Sequence, residues 1–186
     1  MNGIKNKAVF LDRDGVIIED KNYIHKIEQV VLIPGAIESL KKLQDNGFLL
    51  IIITNQSGVG RGYYPIEDVY TVNKYIEEIF RNGGVQFKKI YIAPEAPDQP
   101  SRGRKPSPAF LFDARDEFNI DLANSYMVGD KLIDLECGWN AGVRKSILVR
   151  TGYGKKTENE FPDKIKNAVV VDDIGKAADW ILGNQD

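Results

Sequence analysis

A formal net charge of −2 over 186 residues lacks the basic excess that marks nucleic-acid binders, and 42% hydrophobic with 28% charged residues is ordinary for a soluble globular chain. One cysteine excludes an internal disulfide, and with one histidine it cannot supply the nitrogen and sulfur ligands of an ordinary structural zinc site. The first seven residues are polar and no apolar run nears the ~20 residues of a membrane span, so a cytoplasmic protein of one domain, residues 1–186, with no membrane partner is expected.

Residues 8–11 are an apolar run ending at Asp12-Arg13-Asp14-Gly15, which reads as a short buried strand followed at once by two carboxylates. A mixed polar and aromatic loop, 18–32, holds Asp20, Lys21, Asn22, Tyr23 and His25. Pro34-Gly35 opens a helix with Ile37, Leu40 and Leu43 at helical spacing, and Asn46-Gly47 closes it. The unbroken apolar run 48–53 predicts a strand covered on both faces, followed by a loop over 54–62. Residues 66–82 predict a long amphipathic helix with Val69, Val72, Tyr75, Ile76, Ile79 and Phe80 as its buried stripe, stopped by Gly83-Gly84.

The next strand is 89–93, and the proline-rich, charged stretch 94–108 is a surface loop. Helix 109–119, strand 125–128, helix 132–140 and strand 146–149 follow. A Gly- and Lys-rich loop, 151–159, then leads to strand 168–171 and helix 174–182. Cys137 falls in a helix as a small core residue. Strands alternating with helices imply βαβ crossovers, hence an α/β fold with a three-layer, Rossmann-like parallel sheet.

In such a sheet ligands bind beyond the carboxyl ends of the strands, where Asp12 and Asp14 fall. Two carboxylates that close repel unless a cation lies between them or one holds a proton. A hard cation such as Mg2+ is commonly shared between carboxylates and a substrate phosphate. Taken alone, Asp-Arg-Asp-Gly is also an ordinary polar turn. Thr54 ends the second strand, and the Ser- and Gly-rich loop after it suits an anionic oxygen or is simply a turn. Arg104-Lys105-Pro106 precedes a helix; a basic pair on a loop is usually solvated. Val128-Gly129-Asp130-Lys131 ends another strand and offers a third carboxylate. Asp134, one turn on, is either a partner behind the metal ligands or a first-turn acid favoured by the helix dipole.

The ordered series Asp-x-Asp, Thr, Lys, Gly-Asp-x-x-x-Asp, each after an apolar strand, resembles the haloacid dehalogenase-like (HAD) phosphohydrolases, from Phe10 to about Gly152. Within them, residues 10–15, 54–58 with Arg61-Gly62, 104–106, 126–131 and 149–152 are similar to the D-glycero-D-manno-heptose-1,7-bisphosphate 7-phosphatases, with histidinol-phosphate phosphatases as near relatives. The resemblance implies a phosphoric monoester hydrolase acting on a heptose intermediate of surface-glycan (lipopolysaccharide core) synthesis, in the ADP- or GDP-heptose route. It implies Asp12 as nucleophile and Asp14 as acid, then base, with Thr54, Ser57 and Lys105 on the phosphoryl oxygens. It also implies Mg2+ held by Asp12, the Asp14 main-chain carbonyl and Asp130. Lys131 and Arg104 become further phosphate or substrate contacts.

No separate cap domain fits between these motifs, so specificity falls to loops 20–25, 57–64 and 94–105. Asp20, Tyr23, Asn55, Gln56, Ser57 and Arg61 complete the expected substrate contacts; an Arg between two glycines is also commonly just solvated. Relatives often carry a Cys/His zinc loop before Arg-Lys-Pro, whereas residues 93–103 contain neither Cys nor His, so zinc is not expected. A small phosphorylated sugar is the expected partner, nucleic acid is not, and a monomer is expected. Histidinol phosphate or a nucleic-acid 3′-phosphate are alternative substrates. A receiver-like phospho-switch is the non-enzyme alternative, set back by the lack of an Asp ending the third strand.

Overall fold

Along β1 (Lys7–Leu11) successive side chains leave opposite faces of the sheet, and both sets are buried. Val9 and Leu11 enter one apolar layer, Ala8 and Phe10 another. This is the pattern of a strand covered on both sides, and it recurs through the molecule. The computed structural model describes residues 5–185. Strands β1, β2 (Phe48–Asn55), β3 (Phe87–Ala93), β4 (Tyr126–Gly129), β5 (Lys145–Val149) and β6 (Val169–Val171) form one sheet of order β3-β2-β1-β4-β5-β6. Every neighbouring pair is parallel.

Helices α1 (Ala36–Asp45), α3 (Ile66–Asn82) and α7 (Ile174–Gly183) bury Leu40, Leu43, Val72, Ile76, Phe80, Ala177 and Ile181 against one face. On the other face α4 (Ala109–Phe118) and α5 (Leu132–Ala141) contribute Leu111, Ala114, Cys137 and Ala141. The result is a three-layer α/β sandwich of the Rossmann-like kind. Order reverses at β1, which has β2 on one side and β4 on the other, so the crevice beyond the carboxyl ends opens between β1, β2 and β4. No helix of the described residues is long and apolar enough to cross a membrane.

Several expectations need correction. The expected loop over residues 151–159 is a turn only to residue 153: Gly154–Glu160 is a helix, α6. Its composition hides it, because tertiary contacts hold it: Thr157 Oγ1 donates to the Asp130 carbonyl at 2.8 Å and Arg150 pairs with Glu158 at 2.7 Å. Strand β2 continues through Thr54 and Asn55, paired with Ile92 and Ala93, and the loop beyond contains a one-turn helix, α2 (Ser57–Gly60). In α3 the predicted stripe is partly misplaced. Tyr75 is exposed and Ile79 only half-buried, while polar Asn73 is buried because its side chain has a partner across the core.

Phe80 is fully buried in the larger apolar layer, tilted against Phe87 with ring centroids 5.1 Å apart. Truncation to alanine leaves a cavity, so Phe80→Ala should cost about 3–5 kcal/mol of unfolding free energy. Urea denaturation checks this; a loss under about 1 kcal/mol would mean that the layer is not packed as described.

Candidate active site

Lys105 is only 2% exposed although it follows a loop. An unpaired ammonium cannot be held at that depth, so its partners decide the local structure. Its Nζ lies 2.8 Å from Asp12 Oδ1 and 2.7 Å from Asp134 Oδ1, and it donates to the Ile53 carbonyl at 2.8 Å. The backbone is fixed as well: Lys105 N donates to Asn55 Oδ1 at 3.0 Å and Asn55 Nδ2 to the Lys105 carbonyl at 3.2 Å. Burial alone would lower the Lys105 pKa, but Asp12 and Asp134 outweigh it and hold it above the ordinary lysine value. The solvated-surface reading of this residue is therefore overturned.

Asp12, Asp130 and Asp134 are all buried, and one carboxylate oxygen from each lies within 4.8 Å of the others. Asp130 Oδ2 accepts from the Tyr153 N–H at 2.8 Å, while Oδ1 is buried with no protein partner. Burial, with Asp12 and Asp134 nearby and Lys131 opposing, pushes the Asp130 carboxyl up to about 8. Burial and Asp12 likewise raise Asp134 against the pull of Lys105. A hard divalent cation would remove the repulsion and satisfy the orphaned oxygen, so this donor set fits one. Room for it depends on Gly15, at φ +85°, where a Cβ would collide with the Asp130 carboxylate.

The Asp14 carboxylate is not one of the three in this cluster and has partners of its own. Arg13, itself fully buried, donates from Nε to Asp14 Oδ2 at 3.0 Å and from Nη2 to Oδ1 at 3.1 Å, and from Nη1 to Asn73 Oδ1 at 2.8 Å. Gln56 Nε2 donates to Asp14 Oδ2 at 3.0 Å and to Thr54 Oγ1 at 2.7 Å. Thr54 is thus buried at the end of β2 with its hydroxyl accepting from Gln56.

Asp12, Asp14, Asn55, Ser57, Arg104, Lys105, Lys131 and Asp134 share one hollow of about 210 Å³. A second, of about 190 Å³, joins Asp14, Asn55, Gln56, Ser57 and Lys131 to Asp20 and Tyr23. Lys131 Nζ pairs with Asp20 Oδ2 at 2.9 Å and sits 4.6 Å from the centre of the Tyr153 ring. Arg61 is exposed and lines neither hollow, although its charge reaches Arg104: burial and then Arg61 lower the Arg104 pKa. A larger hollow of about 450 Å³ lies at the opposite ends of the strands, around Lys7, Phe48 and Arg144, remote from the carboxylates.

Sequence reasoning did not single out Arg13, Asn73 or Tyr153. Only Asn73 carried a signal, a polar residue set between apolar positions of an amphipathic helix.

Two family models match the chain: "HAD-hydrolase-like" over residues 103–177 and "polynucleotide kinase 3 phosphatase" over residues 7–138. A Yersinia pestis D-glycero-beta-D-manno-heptose-1,7-bisphosphate 7-phosphatase is 35% identical over 184 residues, covering 95% of this chain and 90% of the relative. This chain belongs to the HAD-like phosphatase family. The Haemophilus ducreyi protein of the same name is 40% identical over 172 residues, 88% of this chain and 94% of that one. Among solved structures, the B. bronchiseptica D,D-heptose 1,7-bisphosphate phosphatase complexed with magnesium and phosphate superposes with a TM-score of 0.89 at 28% identity. That match covers 95% of this chain and 98% of the other. This HAD-like phosphatase is therefore an enzyme of phosphoester hydrolysis, in a family that uses a divalent metal.

The Asp130 shift has a defined sign. In the metal-free protein the folded state keeps a proton that the unfolded chain releases near pH 4, so stability falls as pH rises from about 4 to about 8. Mg2+ requires the deprotonated carboxylate, so its binding should displace a proton below pH 8 and raise the melting temperature more at pH 8 than at pH 5. Thermal melts at the two pH values, with and without 10-fold differing Mg2+, measure this; equal shifts at both would exclude Asp130 as a ligand.

Proposed function

We propose that this phosphatase removes the 7-phosphate of D-glycero-D-manno-heptose 1,7-bisphosphate, with Mg2+ as its metal. What carries the reading is the set of relatives of that name, 35–40% identical over most of both chains, together with the carboxylate and lysine cluster at the strand ends.

Asp12 acts as the nucleophile. Its Oδ1 is engaged by the Arg13 N–H and Lys105 Nζ at 2.8 Å each, which leaves Oδ2 for the substrate. Oδ2 forms a bond to phosphorus as the bond from phosphorus to the sugar oxygen breaks, and Asp14 gives that oxygen its proton. A water then attacks the aspartyl phosphate; Asp14 takes its proton, phosphate leaves and Asp12 is regenerated. Asp12, Asp130 and the Asp14 main-chain carbonyl would hold Mg2+, with Asp134 behind them through Lys105. When bound, the ion offsets negative charge between carboxylate and phosphate.

Thr54 and Ser57 hold the phosphoryl oxygens in this reading, and Lys105, whose ammonium donates to Asp12, Asp134 and the Ile53 carbonyl, sets its positive charge beside them; Asn55, Gln56, Asp20, Tyr23, Lys131, Arg104 and Arg61 contact the rest of the substrate. Asn55, Gln56, Ser57, Asp20, Tyr23, Lys131 and Arg104 line the two hollows beside Asp14, which supports their part of the assignment. The match to the polynucleotide kinase 3 phosphatase model makes a nucleic-acid 3′-phosphate the second reading, which the net charge of −2 opposes. The chain is taken as one domain that works without zinc.

Free phosphate released from a substrate panel tests the proposal. Mg2+-dependent turnover of heptose 1,7-bisphosphate, with both anomers assayed, should exceed that of histidinol phosphate and of 3′-phosphorylated oligonucleotides by at least about tenfold in kcat/KM. A reversed order would remove the heptose assignment. Asp12→Asn should abolish turnover, by about 10³-fold or more, while the variant stays folded.

A further inference from the structure

The stretch between β3 and Lys105 has neither Cys nor His and no regular structure, yet it carries Arg104 to the hollow that contains Asp12. A loop of this kind is held only by its own hydrogen bonds and its docking contacts. Both are numerous here. Ser101 Oγ donates to Glu95 Oε2 at 2.8 Å and accepts from the Arg104 N–H at 3.1 Å. Arg104 Nη1 donates to the Glu95 carbonyl at 3.0 Å, so backbone and guanidinium of Arg104 are both referred to Glu95. Gln99 folds back: its Oε1 accepts from the Ala96 N–H at 2.8 Å and its Nε2 donates to the Gly60 carbonyl at 3.3 Å.

Gly60 also donates its N–H to the Pro94 carbonyl at 2.8 Å. The loop is thereby docked on α2, the turn that follows Ser57. A Cβ at Gly60 would collide with Ala96 N and Gln99 Oε1, so the contact depends on a bare backbone. Neither Gln99 nor Ser101 lines either hollow.

We propose that Gln99 and Ser101 are positioning residues for substrate specificity: together with Glu95 they aim the Arg104 guanidinium at the second phosphate of a bisphosphorylated sugar. The inference rests on the heptose bisphosphate reading above and adds to it which residues set the discrimination. One Arg104 nitrogen is committed to Glu95, and Arg104 lines the hollow, where an anionic group suits the N–H groups of the fork that remain. Loss of the brace frees Arg104 to sample other rotamers, which weakens binding of the distal phosphate and leaves the chemistry at Asp12 untouched.

The experiment compares wild type, Ser101→Ala, Gln99→Ala and the conservative Ser101→Thr on two substrates at saturating Mg2+. These are heptose 1,7-bisphosphate and p-nitrophenyl phosphate, which has no second phosphate. Amide hydrogen exchange at Gly60, Ala96 and Arg104 is read in parallel by NMR. Both alanine variants should raise KM for the bisphosphate about five- to tenfold, the usual effect of losing one such hydrogen bond, with kcat on both substrates within about twofold of wild type. Ser101→Thr should restore KM, and the Arg104 amide should lose protection in Ser101→Ala. An unchanged KM for the bisphosphate despite faster exchange would overturn the positioning role. An equal fall of kcat on both substrates would do so too, by showing a general structural effect. A wild type with no preference for the bisphosphate would instead defeat the substrate reading, and protected Ala96 and Arg104 amides that stay protected in the alanine variants would defeat the brace by itself.

Discussion

The buried ammonium of Lys105 is the constraint on which the rest of the site depends. Placing a lysine at 2% exposure costs several kcal/mol unless anions and acceptors surround it, and here Asp12, Asp134 and the Ile53 carbonyl do so from three separate elements. That requirement fixes β1, β2 and α5 relative to one another at their functional ends. It also engages the first oxygen of Asp12, which leaves the second for the substrate in the proposed reaction. The ion cluster is less a source of net stability than a means of specifying one geometry.

Charge balance explains why the cluster suits a divalent ion and a phosphate. Three buried carboxylates, Asp12, Asp130 and Asp134, face one ammonium committed to them, while Lys131 is paired with Asp20 and Asp14 with Arg13. Two negative charges are left uncompensated, and the orphaned Asp130 oxygen with its raised pKa expresses that excess. A divalent cation matches it. With the cation present the hollow becomes receptive to a phosphate dianion, which Arg104 and Lys131 favour from the rim. The same reasoning separates the two halves of Asp12-Arg13-Asp14: the first acid belongs to the carboxylate cluster, and the second, in the same hollow, is held by Arg13 and Gln56.

Most of the sheet was legible because its strands are short apolar runs bounded by Gly, Pro or Asp, and the limits of α3 agree with its predicted span, 66–82. The order of Asp12, Thr54 and Asp130 at strand ends, with Lys105 on the loop after the third strand, points to one crevice from the sequence alone. What escaped was set by partners distant in sequence. Helix α6 was read as a loop because Gly154, Lys155 and Lys156 lack apolar periodicity, and its stability comes from Thr157 and Glu158 reaching Asp130 and Arg150. Asn73 has only its place among the apolar positions of α3 to mark it, because the partner that accounts for its burial, Arg13, lies sixty positions earlier in the chain. The burial of Lys105 could not be read from a basic pair on a proline-rich loop, since its two carboxylate partners lie far along the sequence in either direction.

The central claim is that Lys105 is buried for its two carboxylates and serves the reaction from that position. A double-mutant cycle on Lys105 and Asp134, with unfolding free energy and turnover measured for each variant, tests it most directly. The account predicts that Lys105→Met destabilises by about 3–5 kcal/mol and eliminates turnover. Adding Asp134→Leu should recover much of the stability and none of the turnover. A Lys105→Met protein as stable as wild type and still hydrolysing phosphate esters would contradict the account.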